Sequence, residues 1–230
     1  MKLVFTPDWF LGKDIIIDFF SFIVLLAFFI LCWKYYKLSK KKNLLYLGIG
    51  FLLISIAQLA DILTKVVLYY DTTFTQRIGQ LIISYHIVKS VDIFYKVGFF
   101  FHRLLTLCGF YIIYKLSRRE KWKADSFLVL YFLLIISAVG SDIHYYIFHL
   151  TTLVLIALLI KNYVEIYKKQ KNINTKILII AFSLLALSQM IFLLSKLKVF
   201  FVFGSLIGLV SYLILLILII KILKYSPKIK

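Results

Sequence analysis

The chain has 230 residues, of which 63% are hydrophobic and 17% are charged, and its mean hydropathy is +0.96. This composition excludes an ordinary soluble domain, in which about 45 to 50% of residues are apolar. Lysine and arginine number 28 against 10 acidic residues. These cations lie in short clusters between long apolar runs, which is typical of membrane loops and not of a nucleic-acid-binding surface.

The apolar runs predict a single, all-α integral membrane domain over residues 1–230. A bilayer-spanning helix needs about 20 mostly apolar residues. Open sheet edges cannot be satisfied in lipid, and the runs are too continuously apolar for barrel strands. We therefore predict a polytopic bundle of seven transmembrane helices at about 15–33, 44–66, 92–114, 125–141, 143–163, 175–195 and 199–223.

The basic residues predict the orientation of this bundle. The connections on the side of the C-terminus hold 19 Lys and Arg, the opposite side holds seven, and Lys96 and Arg103 fall within the third predicted helix. Because cytoplasmic loops are enriched in Lys and Arg, we predict the N-terminus outside and the C-terminus inside. The predicted location is the cell membrane, with multiple passes.

The longest connection, about 74–90, predicts an amphipathic helix on the outer face. Apolar residues at 74, 78, 81, 85 and 88 are separated by polar ones, which fits a helix lying in the membrane interface. A cover packed on the bundle is favoured over a partner-binding element.

Charged residues inside the apolar runs define a candidate site, because each costs about 2.5 to 3.5 kcal/mol on insertion. Lys96 and Arg103 are seven residues apart and share one helix face, which we expect to point into the bundle. Arg103 would lie about 16 Å below the outer surface. Other polar residues fall at similar depths, whereas the inner half is predicted to be almost purely apolar. The candidate residues are Asp18, Gln58, Asp61, Lys96, Arg103, His149 and Gln189.

Two interpretations of these residues remain open. In the first, a buried ion-pair network fixes the helix register, with Arg103 tied to Asp18 or Asp61. In the second, an outward-facing polar cavity binds a small or anionic ligand, with Arg103 and Lys96 as its charge partners. His102 is expected to face a neighbouring helix in either case.

Small residues mark one face of the last predicted helix. Gly204 and Gly208 form a G-x-x-x-G step that Ser211 continues, which allows another helix to approach closely. We favour packing within the bundle over dimerisation.

Nothing in the sequence predicts catalytic residues, a metal site or a cofactor. The last predicted helix lacks the mid-depth lysine of a retinal protein, since Lys221 lies at its inner end. The chain has no H-E-x-x-H, G-x-S-x-G or phosphate-loop motif. Cys32 and Cys108 lie in apolar runs without zinc-ligand spacing and are predicted to be small buried side chains.

Three stretches carry a resemblance to known proteins: YYIFHLTTLVLIALLIKNYVEIYKK, AFSLLALSQMIFLLS and GLVSYLILLILIIKILK. They resemble the last three helices of small archaeal seven-helix proteins. They are also loosely similar to the seven-helix input modules of sensor histidine kinases. The resemblance implies a sensing role. Because only nine residues follow Lys221, the output would pass to a separate cytoplasmic protein.

The predicted function is therefore a non-enzymatic sensor or ligand-binding membrane module. The expected partners are membrane lipid, a small or anionic ligand from outside and a cytoplasmic protein, without nucleic acid. The first alternative is a small transporter or permease component, and the second is an intramembrane redox or lipid-modifying enzyme.

Overall fold

Seven α-helices and one short 3-10 helix make up the part of the chain that the computed structural model describes, residues 6–69, 90–118, 124–138 and 142–225. Those ranges contain no strand, which confirms the predicted all-helical class. The 3-10 helix is Asp8–Phe10, and the α-helices are α1 (Lys13–Ser39), α2 (Lys42–Tyr69), α3 (Ser90–Ser117), α4 (Ala124–Ala138), α5 (Asp142–Gln170), α6 (Ile173–Phe192) and α7 (Lys198–Tyr225).

Six of these helices are long and apolar enough to cross a membrane, and α4 is the exception. α4 has 15 residues, which at 1.5 Å per residue gives a length of about 22 Å. The hydrocarbon core of a bilayer is about 30 Å thick. The described structure therefore has the architecture of a multi-pass membrane protein with six membrane-length helices, and the seventh span stays a prediction.

Five of the helices extend past both ends of their predicted spans, whereas α4 and α6 end at Ala138 and Phe192, before the predicted residues 141 and 195. α1 runs to Ser39, beyond the predicted end at residue 33, and Lys40 follows in a left-handed conformation with φ 55°. The Lys40 N–H donates to the Tyr36 carbonyl at 2.8 Å, so α1 turns into α2 within two residues. The predicted amphipathic connection at 74–90 lies outside the described residues, except for Ser90, which begins α3.

The six long helices pack as a closed ring. α1 contacts α2, α2 contacts α3, α3 contacts α5, α5 contacts α6, α6 contacts α7, and α7 contacts α1, while α4 packs beside the ring against α3 and α5. Every long helix contributes to one apolar core, with examples from α1 to α7 in Val24, Ile54, Leu107, Ile156, Phe182 and Leu215.

Two glycines allow the backbones of α2 and α3 to approach closely. A Cβ built on Gly109 would lie 2.8 Å from the Gly50 carbonyl oxygen, and a Cβ on Gly50 would lie 3.1 Å from the Gly109 carbonyl oxygen. Such distances are shorter than ordinary van der Waals contact, so neither position has room for a side chain. This pair therefore lets the backbones of α2 and α3 pack at close range.

The small face of α7 packs inside the bundle against α6, as we favoured. Ser188 Oγ on α6 donates to the Gly204 carbonyl at 2.7 Å, and Ser211 Oγ on α7 donates to the Ala181 carbonyl at 2.7 Å. A Cβ on Gly208 would lie 3.3 Å from Ser188 Oγ. Small side chains thus bring the two helices close enough for their hydroxyls to reach the opposite backbone.

Candidate functional site

Four ionisable side chains from α1 and α2 meet at one end of the bundle. Lys65 Nζ lies 2.5 Å from Asp18 Oδ2, 2.8 Å from Asp61 Oδ2 and 3.6 Å from Asp14 Oδ2. The exposed fraction of these side chains ranges from 2% for Asp14 to 17% for Asp18. We call Asp14, Asp18, Asp61 and Lys65 the ion cluster.

Helix periodicity explains how the sequence builds the ion cluster. Asp14 and Asp18 are four residues apart on α1, and Asp61 and Lys65 are four residues apart on α2, so each pair lies on one helix face. The tight turn between α1 and α2 makes the helices antiparallel neighbours, and the two charged faces meet where α1 begins and α2 ends.

The ion cluster brings two carboxylates onto one ammonium. Asp18 and Asp61 each contact Lys65 directly, so their two Oδ2 atoms lie within about 5 Å of each other. Like charges this close repel, and burial strengthens that repulsion because the local dielectric is low. Asp14 is the third carboxylate near the same ammonium, so the ion cluster has a formal charge of −2 when all three carboxylates are ionised.

Lys65 is the cation that contacts Asp18 and Asp61. The ion-pair interpretation of the sequence had assigned this role to Arg103. Lys65 falls within the second predicted helix, 44–66, but was counted among the cations of the outer connection. The structure shows it buried within α2, which continues to Tyr69. The four-residue spacing of Asp61 and Lys65 was the available signal for this pair.

The two predicted site cations of α3, Lys96 and Arg103, do not share one environment. Lys96 is exposed, so the prediction that the charged face of α3 points into the bundle is wrong for this residue. Its long side chain near the start of α3 can reach the end of the bundle. Arg103 is half-buried, and its guanidinium carbon lies 6.0 Å from the centroid of the Phe99 ring on its own helix, a cation–π distance.

His102 connects α3 to two other helices beside the ion cluster. Its Nδ1–H donates to the Ala57 carbonyl on α2 at 3.0 Å, and its ring meets Phe148 of α5 edge-on at 5.7 Å. Ala57 is one helical turn before Asp61. The expectation that His102 faces a neighbouring helix is confirmed. Gln58 is half-buried on α2, and among the described residues no hydrogen bond joins it to the ion cluster.

A second polar contact links α5 to α6. His149 Nδ1–H donates to Gln189 Oε1 at 2.7 Å. The His149 ring also packs against Tyr145 at 4.3 Å and Phe192 at 5.0 Å between ring centroids. The hydrogen bond satisfies polar groups that would otherwise be costly at this burial.

Four of the seven predicted site residues, Asp18, Asp61, His149 and Gln189, therefore belong to two groups at the same end of the ring. The ion cluster lies between α1 and α2, and the His149–Gln189 pair lies between α5 and α6. His102 stands between them, because its ring contacts Phe148, the residue before His149.

The opposite end of the bundle also carries buried polar groups, so the prediction of an almost purely apolar inner half is wrong. Lys115 on α3 is buried and donates to Ser126 on α4. Asn162 Nδ2 on α5 donates to Ser117 Oγ at 2.8 Å. Lys115 resembles a loop residue in the sequence, but it lies within the last turn of α3.

Within the ranges that the structure describes, no group of three or more His, Cys, Asp or Glu side chains is arranged to hold a metal ion. The two thiols are free; Cys32 is buried and Cys108 is partly buried.

The fold and its polar residues define an all-helical bundle with six membrane-length helices and a buried ion cluster at one end. No protein-family model matches the chain, and no match was found among curated proteins or solved structures.

Proposed function

We propose that this protein is a non-enzymatic membrane module that binds a small polar ligand beside the ion cluster. The observation that carries the proposal is that two carboxylates, Asp18 and Asp61, share one buried ammonium, Lys65. His102 and the His149–Gln189 pair lie at the same end and would supply further polar contacts.

A purely structural role accounts poorly for four buried ionisable residues. Replacing a buried ion pair by apolar side chains is often neutral or stabilising, because desolvation offsets the attraction. α1 and α2 already pack along their length, and Ser55 Oγ of α2 donates to the Phe22 carbonyl of α1 at 3.1 Å. The cluster is therefore not needed to join the two helices. A site that accepts a ligand explains why charge is retained there.

The packing of the helices also supports a route by which ligand binding at the ion cluster could change the rest of the bundle. α2 packs extensively on both α1 and α3, and α6 packs extensively on both α5 and α7, which gives two three-helix units that meet where α3 contacts α5 and α7 contacts α1. The His102–Phe148 ring contact lies on the first of these seams. A ligand at the ion cluster would shift α3 and change that contact, and a separate cytoplasmic protein would receive the change.

Membrane placement is part of the proposal. The protein crosses the cell membrane seven times, with α4 as a short seventh span, its N-terminus outside and its C-terminus inside. The excess of basic residues on the C-terminal side supports this orientation. In that orientation the ion cluster lies toward the outer surface.

A small transporter is the second candidate function. The division into two three-helix units favours it, because alternating access is largely a rigid-body movement of one unit against another around a central site. Flux of a bound ion into proteoliposomes would distinguish transport from sensing, since a sensor binds the ion without moving it.

Ligand-dependent thermal stability tests the binding site. A ligand that binds only the folded protein raises its melting temperature, so the purified protein is screened against a panel of small ions in which cations and anions are varied separately. We expect at least one ion to stabilise the wild-type protein. That shift should disappear in Asp18→Asn/Asp61→Asn/Lys65→Met, which we call the neutral triple variant.

The matched control changes charge at the opposite end. Lys168 and Lys169 are exposed in the last turn of α5, and replacing both by Gln should leave the shift unchanged. The proposal is wrong if no ion stabilises the wild-type protein, or if the neutral triple variant responds as strongly as the wild type.

A further inference from the structure

α1 presents a continuous apolar stripe on the outside of the bundle. Ile16, Phe19, Ile23 and Ile30 are all exposed. Their spacing of three, four and seven residues places them on one side of the helix. An apolar stripe of this length requires a covering of lipid or of another protein chain.

A tryptophan–lysine pair stands at each end of this stripe. Lys13 Nζ lies 5.3 Å from the centroid of the Trp9 ring, and Lys37 Nζ lies 5.6 Å from the Trp33 ring. Trp9 is 62% exposed and Trp33 is 41% exposed. Indole rings concentrate at membrane–water interfaces, and lysine can lay its stem on apolar surface while its ammonium reaches the headgroups.

Both tryptophans are held by the fold. The Phe10 N–H donates to the Pro7 carbonyl at 2.9 Å, and the buried Phe10 ring meets Trp9 edge-on with centroids 5.4 Å apart. At the other end, the Trp33 ring lies 6.1 Å from both Phe29 and Tyr36. The two indoles therefore have fixed positions relative to α1.

The separation of the pairs matches a bilayer. Lys13 and Trp33 are twenty residues apart in one unbroken helix, which corresponds to about 30 Å along its axis. The hydrocarbon core of a typical bilayer has the same thickness, about 30 Å. A covering protein chain would give no reason for this spacing or for an amphipathic pair at each end.

We propose that the exposed stripe of α1 faces lipid acyl chains, with the two hydrocarbon boundaries of the bilayer crossing α1 at Lys13 and Trp33. This assignment depends neither on which end is outside nor on the proposed ligand site. It places Asp18, five residues from Lys13, about 7 Å inside the boundary. The ion cluster would then lie within the hydrocarbon layer but close to the headgroups.

Depth-dependent fluorescence quenching tests the assignment. Two single-tryptophan versions of the full chain retain Trp9 or Trp33, with Phe at the other tryptophan positions, and a third carries Ile23→Trp in a chain whose three native tryptophans are Phe. Each is reconstituted into phosphatidylcholine bilayers brominated near the headgroup, at acyl carbons 6 and 7, or near the centre, at carbons 11 and 12.

We expect Trp9 and Trp33 to be quenched more by the shallow bromines, and the tryptophan at position 23 more by the deep ones. Trp122→Phe alone keeps both Trp9 and Trp33 and should also be quenched more by the shallow bromines. Because it carries a single substitution, it shows whether the result depends on the multiple substitutions of the other variants. Deep quenching of Trp9 or Trp33 would overturn the assignment. So would the absence of quenching at position 23, which would show that a second chain covers the stripe.

Discussion

Lys65 joins α2 to α1 through a contact of 2.5 Å between its Nζ and Asp18 Oδ2. The same ammonium lies 2.8 Å from Asp61 on its own helix. A single cation thus balances carboxylates from two helices at the end of the bundle where the other candidate residues lie. The stability of this end should depend on Lys65 more than on any exposed lysine.

Lys65→Met is expected to destabilise the protein by about 3 to 5 kcal/mol, because it leaves three buried carboxylates without their cation. Unfolding in detergent, followed by circular dichroism during denaturant titration, measures the loss. Lys96→Met is the matched control, since Lys96 is exposed on α3 and surface substitutions usually change stability by about 0.5 kcal/mol or less. Equal effects of the two substitutions would contradict the assigned role of Lys65.

The neutral triple variant should regain part of the stability that Lys65→Met loses. Removing the charges of Asp18, Asp61 and Lys65 together leaves Asp14, whose Oδ1 accepts from the Gly12 N–H at 3.1 Å, as the only buried carboxylate of the ion cluster. The coupling follows from the single and combined variants in a mutant cycle, which isolates interaction between residues in contact. Additive losses across the cycle would mean that Asp18 and Asp61 do not depend on Lys65.

Gly109→Ala should cost about 1 to 3 kcal/mol, in the range of overpacked interiors. The new Cβ would lie 2.8 Å from the Gly50 carbonyl oxygen, a backbone atom that cannot rotate away. Gly208→Ala is the comparison, because its Cβ would meet Ser188 Oγ at 3.3 Å, a contact that a shift of a few tenths of an ångström relieves. Thermal unfolding of both variants in one detergent gives the comparison. Unchanged stability of Gly109→Ala would refute the close α2–α3 contact.

Gln189→Leu should cost about 1 to 3 kcal/mol, because it leaves the buried His149 N–H without an acceptor. Adding His149→Phe should restore part of the loss, since the second change removes the unsatisfied donor. The difference in melting temperature between the single and double variants measures this recovery. If the double variant is less stable than Gln189→Leu alone, the hydrogen bond between His149 and Gln189 is not what stabilises the pair.

The sequence was sufficient to predict the class of fold, because the length of each apolar run is a local property that indicates a helix without knowledge of its neighbours. Each long apolar run gave a helix, and the small face at Gly204 and Gly208 correctly indicated close packing of α7. The helix ends were less predictable. The apolar spans end at the expected membrane boundary, whereas the helices continue through charged flanks.

The site was less predictable because it depends on which helices meet. Asp18 and Asp61 were recognisable as costly residues, but the choice of Lys65 over Arg103 as their cation required the packing of α1 on α2. The Gly50–Gly109 contact joins residues that are distant in sequence and carry no local signal. His149 and Gln189 were each identified as polar residues at a similar depth, and only the packing of α5 on α6 pairs them.

The most direct test of the central claim is a distance measurement between the two three-helix units. Spin labels are attached at cysteines replacing Val66 on α2 and Leu150 on α5, which are both exposed, in a chain whose native cysteines are Ala. The distance between the two spin labels is measured by pulsed electron paramagnetic resonance, with and without the ion that most stabilises the wild-type protein. We predict that this ion changes the distance distribution in the wild-type background and not in the neutral triple variant. An unchanged distribution in the wild-type background, or the same change in both, would contradict a ligand site at the ion cluster that moves one unit against the other.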